Sequence, residues 1–330
     1  MPNTIWASLA AIVLAGCSSS PASQAPTEGR IVVALTIDWE GAQISRDGLD
    51  AVDTLRKGLD GAPITHFVSA AYFTKARPDA TAVTAIAEAV HPGDELALHL
   101  HAWRSLAKAS GIEPRLSPSF LTGTDELLEF EDGDVGFDLD LDAYSVPELR
   151  ALVRTSRRLL AQTGVPISKT FRAGGYLSTP KVLQAIRDEG YTVDSGAIDY
   201  RQLGALGDDF LPTRIKELWP KVGTDSQPFF VDAPGGPLLE LPIAAVSDYV
   251  TAPDIVGIFE AAHAQLQKAP GRDVFVVLGF HLETAAEFAG RLGEAMGKVR
   301  ARHELATRLQ FTTMEGAAEL ARSALTPPPN

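Results

Sequence analysis

Cysteine is nearly absent from these 330 residues: Cys17 is the only one, so no disulfide can form within the chain. Long apolar runs are missing too. The stretch from Ile5 to Ala15 falls short of the roughly 20 residues that a bilayer-spanning helix needs. No Lys/Arg-rich run occurs, and the formal net charge of -13 gives a surface that repels phosphate backbones and anionic lipid. Both features argue against nucleic acid as a partner. No internal repeat of fixed period is present. What remains is an ordinary globular composition, with 45% hydrophobic residues to fill a core and 22% charged.

The end of the first apolar stretch, Leu14-Ala15-Gly16-Cys17, resembles a bacterial lipobox, whose cysteine is acylated and becomes the mature N-terminus. On this reading residues 1–17 are a lipoprotein signal peptide and Cys17 is a lipidation site that anchors the chain in a membrane. Ser18 stands where an aspartate favours inner-membrane retention in some Gram-negative bacteria. The expected location is therefore the bacterial cell envelope, at the outer membrane facing the periplasm. Residues 18–29 are rich in Ser, Pro, Ala and Gln, with little to bury, and read as a flexible tether.

Beyond the tether, apolar runs of strand length recur at Ile31–Trp39, Ile64–Ala71, Leu96–His101, Lys169–Arg172, Tyr191–Asp194, Leu239–Ile243, Val274–Phe280 and Leu309–Thr312. Helix-like segments lie between many of them, at Val83–Ala89, Val146–Gln162, Pro180–Glu189 and Ala252–Gln267. Ser145 ahead of Pro147 and Glu148, and Thr179 ahead of Pro180, mark helix starts. The alternation predicts an α/β fold with a largely parallel sheet, closed into a barrel rather than left open and doubly wound. One domain is expected over 30–325, interrupted at 104–144 by a long loop insertion with an acidic run from Glu126 through Asp142. The spacing of those acids does not match a helix-loop-helix calcium site, so the run reads as a solvated loop.

Two short segments concentrate the chemistry. In Glu95-Leu96-Ala97-Leu98-His99-Leu100-His101, alternation puts His99 and His101 on one strand face, roughly 6 to 7 Å apart. Both imidazoles can then converge on one divalent ion, for which imidazole is a common ligand. The apolar strand from Ile31 ends in Asp38 and Glu40, which share a face; uncompensated buried charge is costly, so a metal or a catalytic task is expected there. Arg172 and His281 end apolar runs in the same way, and active sites collect at such strand ends in parallel barrels. His66, inside a strand, reads as a core or wall histidine. His91, His263 and His303 have no partner pattern.

At these residues the chain resembles a divergent, lipoprotein member of the polysaccharide deacetylase superfamily, also called the NodB-homology or carbohydrate esterase family four group. The motif order matches from Thr36 to His281. Thr36-Ile37-Asp38-Trp39-Glu40 is similar to the first motif, in which one carboxylate is the general base and a second binds the metal. Asp38 as base and Glu40 as ligand is the preferred assignment, and the reverse stays open because Trp39 separates the two. His99 and His101 fall where the second motif supplies two metal histidines, usually four apart. Phe171-Arg172-Ala173-Gly174-Gly175-Tyr176 resembles the third, whose arginine orients the base. Asp199-Tyr200 stands for the fourth, and Gly279-Phe280-His281 resembles the last, whose histidine is the general acid.

The resemblance implies a distorted (β/α)7-type barrel as a single catalytic domain. It also implies a divalent metal, expected to be Zn2+, held by Glu40, His99 and His101, with Asp38, Arg172 and His281 catalytic. The implied reaction removes N-acetyl groups from a cell-envelope or extracellular polysaccharide or oligosaccharide. Two alternatives stay open: hydrolysis of a small amide or cyclic imide at the same metal site, and a non-catalytic sugar-binding lipoprotein.

Overall fold

The computed structural model describes residues 28–78 and 81–325. Cys17 with its lipobox, most of the tether and the tail from Thr326 lie outside the described residues. The first half of the chain runs β1 (Ile31–Trp39), α1 (Arg46–Gly58), β2 (Ile64–Ser69), α2 (Ala82–Ala89), β3 (Glu95–Leu100), α3 (Arg104–Ala109), α4 (Val146–Leu160), β4 (Ile167–Ala173) and α5 (Pro180–Asp188). The second half runs β5 (Val193–Asp194), α6 (Phe210–Leu218), β6 (Phe229–Val231), β7 (Leu238–Glu240), β8 (Ile243–Val246), α7 (Ala252–Lys268), β9 (Val274–His281), α8 (Ala285–Arg300), α9 (His303–Ala306), β10 (Leu309–Thr312) and α10 (Met314–Ala324).

Alternation along β1 sorts two environments. Ile31, Val33, Leu35 and Ile37 pack outward with Val52 and Leu55 of α1 and Leu292 and Met296 of α8. Val32 and Ala34 face inward, in a second cluster with Val277 of β9 and with Met314, Ala317 and Ala321 of α10. The next inward positions are Thr36 and Asp38, so the barrel interior turns from apolar to polar toward the C-terminal ends of the strands. That end is called the mouth below, and the opposite end the floor.

The sheet order is β6-β7-β5-β4-β3-β2-β1-β9-β8, with β10 also against β1, and every pairing is parallel except β6 with β7. β10 takes the floor half of one β1 edge, from Ile31 to Ala34, and β2 the mouth half, from Leu35 to Trp39. The single strand expected over Leu239–Ile243 is in fact two. Pro242 lacks the N–H that a continuous ladder needs, so the chain breaks there; β7 stays with β5 while β8 joins β9. Consecutive strands thus stand near opposite ends of the order, and a bridge from Ile198 to Ile243 draws those ends together. The result is the distorted barrel that the sequence implied.

Two helix starts follow the sequence signals: Ser145 and Glu148 form a capping box on α4, and the Thr179 side chain caps α5. The 104–144 segment is mostly irregular; Asp125, Glu126, Glu129, Glu131 and Asp132 are exposed, as a solvated loop would have them, but the later acids are not. Asp134, Asp138 and Asp140 are buried and committed. Asp134 pairs with Lys75 at 3.2 Å and accepts from Ser105, Asp138 accepts from Ser119 Oγ at 2.5 Å, and Asp140 from Arg214 at 3.0 Å. These bonds fold the insertion down onto the mouth.

Candidate metal centre and active-site cleft

Parallel pairing brings the sequence motifs side by side. Asp38 is in register with His281 across β1 and β9, and His99 with Arg172 across β3 and β4.

His99 Nδ1 lies 3.0 Å from the Arg172 carbonyl oxygen, and His101 Nδ1 lies against that of Phe137. A carbonyl only accepts, so each Nδ1 carries the proton and each Nε2 presents a lone pair. The two Nε2 atoms are 3.0 Å apart, Glu40 Oε1 is 3.5 Å from that of His99, and Glu40 Oε2 closely approaches that of His101 with no hydrogen bond to satisfy it. Two imidazole lone pairs and a buried carboxylate repel one another unless a cation lies between them. The three ligand atoms are within 4.8 Å of one another, and this donor set fits a divalent ion of the zinc type. Where protons on the imidazoles take the place of that cation, burial alone would raise the Glu40 carboxyl, yet the His101 and His99 charges hold it well below the usual carboxylate range. Burial likewise would lower His99, and the Glu40 and Asp38 carboxylates outweigh it and raise the imidazole. The structure brings together the three residues that the sequence pattern singled out.

The glycine that begins Gly174-Gly175 has a steric purpose. A Cβ on Gly174 would stand 2.5 Å from His101 Cε1, so any other residue would push that ring aside.

Arg172 is fully buried and donates to Asp38 Oδ1 at 2.6 Å, to Thr36 Oγ1 at 3.0 Å, and to the carbonyl and hydroxyl of Ser195 at 3.0 and 2.9 Å. Its guanidinium also lies 4.1 Å over the Phe67 ring. With that many fixed partners, the arginine holds Asp38 in one orientation.

His281 Nε2 stands 3.4 Å from Glu40 Oε1 and 3.2 Å from the Tyr176 hydroxyl, while its Nδ1 faces Asp248 Oδ1 at 2.9 Å. Burial would lower this imidazole, but Tyr249, Asp248 and Glu40 together hold it well above its ordinary value. Asp248 is a site residue that sequence reasoning missed, since no motif surrounds it. Asp199, taken for the fourth motif, turns instead to Arg201 at 2.6 Å and meets neither Arg172 nor His281. Glu283 was missed as well. It accepts from Tyr72 at 2.7 Å and from the Glu40 amide at 3.2 Å, and burial, with the Glu40 charge second, pushes it up to about 7. Its position two residues past His281, beyond a strand end, was the available signal.

A cleft of ≈ 370 Å³ opens over these groups, walled partly by Phe130 and Phe137 of the insertion. Phe137 both accepts from His101 and stacks on it, with ring centroids 4.8 Å apart and planes at 10°. The insertion therefore belongs to the site.

No family model matches the sequence, and no curated protein matches it. Solved structures do. A protein described as a polysaccharide deacetylase from Mycobacterium smegmatis is 17% identical, with a TM-score of 0.55 over 93% of this chain and 95% of that one. The Puue allantoinase is 14% identical, with a TM-score of 0.53 over 94% of this chain and 96% of that one. At such identities the likeness speaks for architecture, and in architecture this chain is built on the distorted barrel of the polysaccharide deacetylases, as its motifs implied.

Proposed function

We propose that the chain is a metal-dependent amide hydrolase that removes N-acetyl groups from a cell-envelope or extracellular polysaccharide. One observation carries the reading: two proton-handling pairs, Asp38 with Arg172 and His281 with Asp248, converge on the Glu40, His99 and His101 donor set. A divalent ion held by that set, expected to be zinc, would supply Lewis-acid polarisation of the amide carbonyl and of water.

The chain's own groups divide the proton work. Asp38, oriented by the Arg172 guanidinium at 2.6 Å, takes the proton of the attacking water as its oxygen bonds to the acetyl carbon. Protonated His281, aimed by Asp248, gives a proton to the nitrogen as the C–N bond breaks. Acetate and a free amine leave. Acylation of Cys17 and anchoring in the cell envelope belong to the same proposal, and the mass of the mature N-terminus tests them.

A second reading, hydrolysis of a small amide or cyclic imide, is favoured by the fold shared with an allantoinase. Metal-free and zinc-loaded protein should be assayed against chitin-type, peptidoglycan-type and exopolysaccharide-type oligomers and against a cyclic imide. Acetate release that depends on zinc is the expected result. Ring opening of the imide with no acetate would replace the first reading by the second. Full metal content with neither activity would leave a sugar-binding lipoprotein.

A further inference from the structure

The two histidines of the donor set are aimed by different parts of the chain. His99 donates its Nδ1–H to the Arg172 carbonyl, which β4 fixes beside β3, whereas His101 donates to the Phe137 carbonyl, in irregular chain of the insertion. A carbonyl outside a sheet keeps its aim only if other contacts restrain it.

Those contacts run between residues 102–105 and 133–138. The Arg104 amide donates to the Val135 carbonyl at 2.8 Å, and its guanidinium to that of Gly133. Ser105 donates to Asp134 twice, from its amide at 3.2 Å and from its hydroxyl at 2.6 Å. Gly136, at φ +102, passes so close that a Cβ there would stand 2.6 Å from the Ala102 carbonyl oxygen.

Lys75 is buried against the same contacts. Its ammonium lies 3.2 Å from Asp134 Oδ2 and 3.1 Å from the centre of the Trp103 ring. Trp103 in turn donates its indole N–H to the Glu40 carbonyl oxygen at 2.9 Å. A buried ammonium or carboxylate that loses its partner is strongly unfavourable, so each of the pair keeps the other in place. One cation therefore braces two of the three donors, Glu40 through Trp103 and His101 through Asp134 and the chain leading to Phe137.

We infer that Lys75 and Asp134 are positioning residues for the metal: their ion pair latches the insertion onto the mouth, and docking of residues 133–138 and binding of the divalent ion support each other. The inference rests on the metal-dependent reading of the Glu40, His99 and His101 set. Outer partners of a metal-binding histidine typically carry about 10–100-fold in affinity. Coupling is reciprocal, so an ion that binds the docked form more tightly also holds the insertion docked.

Zinc dissociation constants, measured on the full chain by chelator competition, test it together with amide hydrogen exchange of residues 133–138 with and without zinc. Lys75→Met keeps an unbranched chain against Trp103 and removes the charge; it should weaken zinc about 10–100-fold. Gly136→Ala disturbs the same backbone without touching the pair and should weaken zinc at least about tenfold. Asp94→Ala breaks the buried pair with Arg56 near the floor; it should lower stability yet leave zinc affinity of the folded protein within about twofold, which tells general loosening from lost aim. In the parent, zinc should slow exchange across 133–138 at least about tenfold. Parent-like affinity in Lys75→Met or Gly136→Ala, or exchange at 133–138 that ignores zinc, would overturn the inference. Should Lys75→Met fail to fold, Gly136→Ala and exchange in the parent decide it. A parent that binds no zinc removes the metal-dependent reading, and the inference with it. Zinc bound without acetate release, with affinity lost in Lys75→Met, keeps the inference and removes the deacetylase reading.

Discussion

Two buried clusters in this barrel draw on the same residue types and end in opposite states. Near the floor, Asp94 accepts from both Arg56 amino groups at 2.9 and 2.7 Å, from the Ile64 and His91 amides, and from His66 at 3.4 Å. His66 in turn accepts from the Trp39 indole at 3.3 Å. At the mouth, His99 and His101 aim bare lone pairs at each other and at Glu40. The floor is satisfied by protein alone, whereas the mouth needs a partner from outside. Counting donors against acceptors separates a structural histidine from a ligand where residue type cannot.

That contrast can be attacked from its strongest side first. His99→Ala should weaken zinc binding at least about 100-fold and slow acetate release about 1000-fold, roughly 4 kcal/mol of barrier. The metal-free variant should stay folded but melt below the metal-free parent, because a buried ring and its bond to the Arg172 carbonyl are lost. Metal analysis, turnover and calorimetric melting check the three parts, and full activity in this variant would refute the ligand assignment.

Asp94→Ala should do the opposite. It strands the Arg56 guanidinium, whose side chain is 8% exposed, and should lower the unfolding free energy by about 3–5 kcal/mol while the folded fraction keeps its metal. Urea titration reads the loss. A third comparison adds zinc at about 100 times its dissociation constant, which should stabilise the parent and His66→Gln alike by about 2.7 kcal/mol and His99→Ala hardly at all.

The smallest expected effect is one of pH. Burial lowers the His66 imidazole despite Asp94 beside it, so the unfolded chain takes up this proton at a higher pH than the folded chain does. Its contribution is whole above the unfolded value of about 6.5 and declines as pH falls below it. The stability difference between parent and His66→Gln should therefore shrink from pH 7.5 to pH 5.0. Asp94 acts further down. Burial opposes the shift, but bonds from His66 and Arg56 depress its carboxyl far below the ordinary value, so its stabilisation is lost only as pH falls past the usual carboxylate range. A difference that grew on acidification would show His66 to be charged in the fold.

What could be read from sequence was what periodicity and strand ends encode. β1, β3 and β9 lie within a residue of their expected spans because their apolar runs are continuous and end in polar groups. The convergence of Asp38, Glu40, His99, His101, Arg172 and His281 was legible for the same reason: each lies at the C-terminal end of a parallel strand. Asp248 and Glu283 were not legible, since each is placed by a loop whose path depends on contacts from β9, α8 and the segment around Tyr72. The insertion misled because local composition cannot reveal partners such as Lys75 and Arg214, far along the chain. Only the fold shows that Asp134, Asp138 and Asp140 are buried against partners.

The entry point of the chain has an architectural consequence. Arg30 meets Asp273 at the floor, and the nine residues of β1 then carry the backbone about 30 Å before Glu40. The described chain thus enters the barrel on the face opposite the cleft, which leaves the rim clear of its own N-terminal approach.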